Sequence, residues 1–121
     1  MSDSSARKTI LCIDDDDSVL SYQKALLERR GYNVLTAASP RQGLRIALEC
    51  ALAAVIVDYH MPEMTGHEVA IELRRLRPEV PIILLSSDEE IPEHTLNTVD
   101  AFVPKHEAAS RLLPVIAQIV R

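Results

Sequence analysis

The run Ile10-Leu11-Cys12-Ile13-Asp14-Asp15-Asp16-Asp17 passes from four apolar residues directly into four carboxylates. An unbroken apolar run of this length predicts a strand buried on both faces, as in parallel sheets. Open α/β sheets keep their ligands at the carboxyl ends of such strands, which is where these acids emerge. Two carboxylates about 4 Å apart repel by roughly 4 kcal/mol at an effective dielectric of about 20. Such a pair either takes up a proton or shares a cation. An all-oxygen donor set suits a hard divalent ion, above all Mg²⁺, which needs only a carboxylate or two together with waters and a phosphate. Asp16 and Asp17 stand where the next helix begins, so they are assigned to its N-cap and first turn. Asp14 and Asp15 are assigned to the rim of the sheet.

A chain of 121 residues makes one domain, long enough to bury about two thirds of its unfolded surface. An apolar share of 47% marks it as globular rather than disordered. The net charge of −5 argues against a nucleic-acid footprint. The basic runs Arg29-Arg30 and Arg74-Arg75-Arg77 fall at expected helix ends, where they complement the dipole. Cys12 and Cys50 lie far apart with no metal-ligand spacing, so free thiols and a reducing compartment are expected. The polar opening from Met1 to Thr9 is neither a signal peptide nor a membrane span. The protein is therefore expected to be cytoplasmic, with no membrane or nucleic acid as partner.

Residues 1–8 read as a disordered leader and 9–121 as the domain. After the first strand, a helix from Asp17 or Ser18 carries Val19, Tyr22 and Leu26, with Leu20 and Leu27, as its inward stripe, and Gly31 ends it. Residues 32–36 form a short edge strand. Ser39-Pro40 supplies an N-cap followed by proline at the first helical position, with Leu44, Ala47, Leu48 and Ala51 as the apolar face behind it. Residues 53–57 form a second buried strand that also runs into an acid, Asp58. A loop through Met61-Pro62 and Gly66 follows, then a helix with Val69, Leu73 and Leu76 inward. Residues 81–85 are another buried strand, leading to Ser86. Residues 100–104 form the last, leading to Lys105, and a final apolar helix closes the chain. Alternating strands and helices predict an α/β fold, a parallel sheet with helices on both faces. Crossovers of one hand place all strand ends on a single rim. Asp14, Asp15, Asp58, Ser86 and Lys105 all fall on it.

In this order and spacing, the elements Ile13-Asp14-Asp15, Val57-Asp58 with Met61-Pro62 and Gly66, Ser86, and Phe102 with Lys105 are strongly specific. Over about residues 9–120 the chain resembles the receiver domains of bacterial response regulators, the chemotaxis-regulator-like family of two-component signalling. The resemblance implies a flavodoxin-like three-layer sandwich: a doubly wound, five-stranded parallel sheet of order 2-1-3-4-5. It further implies that Asp58 accepts a phosphoryl group from a phosphohistidine on a sensor histidine kinase or histidine phosphotransfer protein, forming an aspartyl phosphate. By the family pattern Mg²⁺ is held by Asp15, Asp58 and the backbone carbonyl of His60, with Asp14 joining directly or through water. Lys105 pairs with a phosphoryl oxygen and the Ser86 hydroxyl bonds to it. Phe102 occupies the aromatic position that turns inward with that movement. The implied role is a phosphorelay switch on a partner-binding face, not a turnover enzyme. The His60 imidazole is not read as a metal ligand, because His67, His94 and His106 offer no matching pattern. It is read instead as a residue that tunes hydrolysis of the acyl phosphate by controlling water.

The chain departs from the family in its last third. The family usually follows its lysine with proline, whereas here the order is Pro104-Lys105-His106. The fourth helix is expected to be short and irregular: it carries Pro92, has only Leu96 and Val99 as a stripe, and reaches Asn97, expected in a left-handed conformation. Pro114 falls inside the last helix, where proline costs about 3 kcal/mol unless the helix starts late or kinks. An unusual partner or dimer mode is therefore expected. Two other readings compete. Asp14-x-Asp16-x-Ser18 also looks like the nucleophile motif of haloacid-dehalogenase-like phosphatases, and the irregular fourth helix fits a binding module that never switches.

Overall fold

After Thr9 the first strand is wholly apolar, and it takes an inner place in the sheet. In the computed structural model, which describes residues 7–120, β1 (Thr9–Ile13) pairs in parallel with β2 (Asn33–Ala37) on one side and β3 (Ala54–Asp58) on the other. β4 (Ile82–Ser86) and β5 (Ala101–Pro104) extend the sheet beyond β3, so its order is β2-β1-β3-β4-β5, all parallel. Five α-helices connect or follow the strands: α1 (Asp17–Glu28), α2 (Pro40–Glu49), α3 (Gly66–Leu76), α4 (Glu93–Leu96) and α5 (Ala108–Ile119). A 3₁₀ turn, Lys105–Glu107, precedes α5. The expected doubly wound sandwich is thus the fold observed. Most of the expected leader, residues 1–6, lies outside the described residues. Lys8 is already tied down, its carbonyl accepting from Asn33 N at 2.9 Å.

Successive strand residues serve opposite layers. Ile10 and Cys12 pack with Leu20 and Leu27 of α1 and with Leu112 and Ile116 of α5. Leu11 and Ile13 pack with Ala47 of α2 and with Val69, Ala70 and Leu73 of α3. Each such leucine or isoleucine, fully buried, contributes about 1.5–3 kcal/mol of transfer free energy. Burial also pushes the Cys12 thiol up to about 12, so it remains a protonated, inert core residue. No helix among the described residues is long and apolar enough to cross a membrane.

The helix starts follow their capping residues. Asp16 is the N-cap of α1, its carboxylate accepting from Ser18 N at 2.8 Å. Ser39 caps α2 ahead of Pro40, and Thr65 with Glu68 forms a capping box at α3. At the other end of α2, the Arg77 guanidinium donates to the Ala47 and Cys50 carbonyls at 2.9 and 3.3 Å. Arg74 and Arg75 lie in the last turn of α3, but Arg74 does more than offset a dipole. It donates to the Thr98 and Val80 carbonyls and to Asp100, whose carboxylate also accepts from Ile82 N at 2.7 Å.

Several helix faces differ from expectation. In α1 the buried residues are Leu20, Gln23 and Leu27, spaced i, i+3, i+7, and Tyr22 is 48% exposed. A polar residue inside the stripe obscured its phase. In α2 the inward residues are Pro40, Gly43 and Ala47, while Leu48 is 57% exposed. That helix lies too close for larger groups: a Cβ on Gly43 would come within 2.4 Å of Ile13 Cδ1. The fourth helix is a single turn, with Thr95 buried and Leu96 turned outward. Asn97 ends it in a right-handed conformation (φ −72°), not the left-handed one expected. Gly31, with φ of +91°, does take the left-handed role after α1. Pro114 is accommodated inside α5, which starts at Ala108 and runs on to Ile119 without a break.

Candidate functional site

Register builds the site. Ile13 pairs with Val57, so Asp14 and Asp58, one step further along β1 and β3, leave the sheet side by side. Asp58 and Ser86 are themselves the last paired residues of their strands, opposite Leu85 and Pro104. The sequence placed them just past the strand ends. Lys105 follows Pro104 directly, so four neighbouring strands each deliver a polar group to one rim. The backbones there are fixed: Asp14 N donates to Ala37 O at 3.1 Å and Tyr59 N to Leu85 O at 2.8 Å.

Carboxylate oxygens of Asp14, Asp15 and Asp58 lie within 4.8 Å of one another. Asp14 and Asp58 are only 1% and 4% exposed, whereas Asp15 faces solvent. Lys105 Nζ stands 3.1 Å from Asp58 Oδ1 and 3.3 Å from Asp14 Oδ2. Burial above all, then mutual repulsion, pushes the Asp58 carboxyl above its ordinary value despite Lys105. Asp14 is pushed up as well, mainly by burial, against the pull of Asp16 N and Lys105. For Lys105 burial acts downward, but the two carboxylates outweigh it and hold the ammonium above its ordinary value. Two buried carboxylates share one ammonium, with Asp15 adding further negative charge nearby, so the cation gains and the acids remain in excess.

The residues fit a divalent cation. Asp14 Oδ1 accepts from Asp16 N at 2.9 Å. Its Oδ2 is buried and has only the ion pair with Lys105 Nζ, at 3.3 Å, beside it. An unsatisfied carboxylate oxygen inside an acidic cluster is a ready ligand for a hard ion or its water.

The remaining expected residues make contacts of their own. Ser86 is fully buried, its hydroxyl accepting from Asp88 N at 3.0 Å. Phe102 packs, partly buried, against the α2–α3 core. The His60 imidazole is turned to Asp88, Nε2 to Oδ2 at 2.7 Å, across the two loops that leave β3 and β4. Sequence reasoning missed Asp88; its place shortly after Ser86 was the available signal, but nothing in the spacing reveals the tie to His60. It also gave no reason for Gly66. A Cβ there would come within 2.5 Å of the Asp58 carbonyl oxygen, so glycine lets α3 start against the strand that carries the acid.

The family model of the response regulator receiver domain matches residues 10–117. The chain belongs to the response regulator receiver domain family. Receiver domains are modules of two-component signalling. Among curated relatives, Response regulator MprA of Mycolicibacterium vanbaalenii is 30% identical over 115 residues, covering 93% of this chain and 50% of the relative. Transcriptional regulatory protein GlrR of Escherichia coli is 34% identical over 84 residues, covering 69% of this chain and 19% of the relative. The chain thus spans half or less of the length of these relatives. A receiver domain from Clostridium thermocellum superposes with a TM-score of 0.85 at 30% identity, covering 93% of each chain. Response regulator TrrA from Thermotoga maritima, solved in complex with Mg²⁺ and BeF, gives 0.88 at 27% identity, covering 93% of this chain and 99% of that one. The phosphatase reading is not favoured: Asp16, the second acid of that motif, is spent on capping α1.

Proposed function

We propose that this receiver domain is an Mg²⁺-dependent phosphoacceptor, with Asp58 as the residue modified. The observation that carries it is the Asp58 carboxylate, buried on a strand end and paired at 3.1 Å with Lys105 beside two further acids. In the reaction an Asp58 oxygen attacks the phosphorus of a phosphohistidine and the P–N bond breaks. The electron pair leaves with the partner's imidazole, which takes up a proton, and the product is an acyl phosphate. Asp58 is held for this by its pairing with Leu85 at the end of β3 and by its burial, which removes the freedom an exposed side chain would lose on reaction. Lys105 moves its ion pair from the carboxylate to a phosphoryl oxygen. The Ser86 hydroxyl, which accepts from Asp88 N, retains its own proton to donate to another. Asp15, Asp58 and the His60 carbonyl, with Asp14 directly or through water, would hold Mg²⁺, which would neutralise charge on the phosphoryl oxygens.

The partner would be a sensor histidine kinase or histidine phosphotransfer protein, and modification would bias a partner-binding face. Phe102, on β5 opposite Leu84 and two residues before the rim, would follow that change by turning inward, as the family pattern implies. With α4 reduced to one turn, the surface presented by α4, β5 and α5 calls for an unusual partner or dimer mode. Intact mass after incubation with Mg²⁺ and a small phosphodonor tests the reading. Wild type should gain one phosphoryl group and Asp58→Asn none. Labelling that persists in Asp58→Asn, or no labelling with either, would overturn it.

A further inference from the structure

His67, second residue of α3, and His94, second residue of α4, meet in space. Their ring centroids lie 4.9 Å apart with the planes at 85°. Edge-to-face packing is an ordinary arrangement for two rings, and it accounts for their positions. It does not account for His67 Nδ1, which is buried without a hydrogen-bond partner. With metal–nitrogen bonds of about 2.0–2.1 Å, two imidazoles on one tetrahedral ion have centroids about 5 Å apart. The observed spacing is close to that, and neither histidine belongs to the carboxylate cluster of Asp14, Asp15 and Asp58.

We propose that His67 and His94 form a second cation site, selective for a borderline transition ion such as Zn²⁺, Ni²⁺ or Cu²⁺. Neutral imidazole suits these ions, whereas the oxygen-only pocket suits Mg²⁺, so the two sites sort cations by ligand softness. His94 is exposed and His67 partly so, leaving the other coordination positions to water. The consequence is mechanical. α4 has one turn and no side-chain cap, and an ion held from both sides would fasten it to the longer, well-capped α3. The site does not depend on phosphorylation of Asp58.

The test is calorimetric titration of the full chain with Zn²⁺ in saturating Mg²⁺, followed also by the histidine ring resonances. Wild type should bind one equivalent, and His67→Asn and His94→Asn should each weaken binding at least tenfold. Asp58→Asn and Cys50→Ser should bind as wild type does, and Cu²⁺ should bind more tightly than Zn²⁺. Hydrogen exchange at the Thr95, Leu96 and Asn97 amides should slow on Zn²⁺ addition in wild type but not in His94→Asn. Circular dichroism melts confirm that the variants are folded. Absence of a Zn²⁺ equivalent, unchanged affinity in both histidine variants, or its loss in Asp58→Asn would overturn the proposal.

Discussion

Lys105 Nζ lies 3.1 Å from Asp58 Oδ1, so the ammonium already neutralises this carboxylate before any other cation arrives. Ammonium and Mg²⁺ therefore compete for the same negative charge. Lys105→Met should bind Mg²⁺ several-fold more tightly than wild type in a calorimetric titration. The same variant should label with a small phosphodonor about 10²–10³-fold more slowly, the usual loss when one electrostatic donor to a transition state is removed. Weaker Mg²⁺ binding in the variant would contradict the competition.

The raised carboxyl values of Asp14 and Asp58 have a definite sign in folding. Both groups bind protons more tightly folded than unfolded. Without Mg²⁺, their contribution to stability is greatest below the ordinary carboxylate value and is lost as pH rises through the raised one. Asp58→Asn should accordingly be more stable than wild type at neutral pH in EDTA, by urea unfolding. The difference should shrink as pH falls below the raised values, and excess Mg²⁺ should shrink it at neutral pH. An advantage for Asp58→Asn that grows on acidification would refute this account.

Two glycines separate strain in the site from strain elsewhere. Gly66→Ala forces a Cβ against backbone at Asp58 and Tyr59. It should lose about 1–3 kcal/mol of stability and weaken Mg²⁺ binding as well. Gly31→Ala meets no atom within 4 Å but sits at φ of +91°. It should lose about 1 kcal/mol through backbone strain alone, with Mg²⁺ affinity unchanged. Equal effects on Mg²⁺ would show that the contact with Asp58 is unimportant.

The His60–Asp88 pair spans the mouth between the loops after β3 and β4. Opening it should change water access to an acyl phosphate on Asp58. His60→Ala should change the phosphate's half-life severalfold, read by intact mass over time, and leave Mg²⁺ affinity as it was. Asp88→Ala should have a similar effect, and the double variant no more than either alone. Additive effects would mean that the two side chains act separately.

Much of the site could be read because a strand buried on both faces stays apolar until its carboxyl end. Asp14, Asp58 and Lys105 were named from that change alone, and the fold brings them into contact. Strand limits were misplaced by about a residue because ladder pairing continues through the first polar side chain, as at Asp58 and Ser86. Helix phase failed for a different reason. α2 turns its small residues inward and Leu48 outward, because close approach to Ile13 outweighs hydrophobicity there. The meetings of His67 with His94 and of His60 with Asp88 were illegible because they join segments remote in sequence.

From Ser87 to Asp100 the chain is secured less by a packed helix than by side-chain ties: His60 to Asp88 near its start, His67 against His94 midway, Arg74 to Asp100 at its close. Of these ties Arg74–Asp100 joins two charged groups, and a partly exposed ion pair weakens as salt rises, whereas apolar packing does not. Order at the close of this connector is thus sensitive to the electrolyte around it, while the sheet beneath stays indifferent. A surface of that kind takes its shape from solution conditions as well as from sequence.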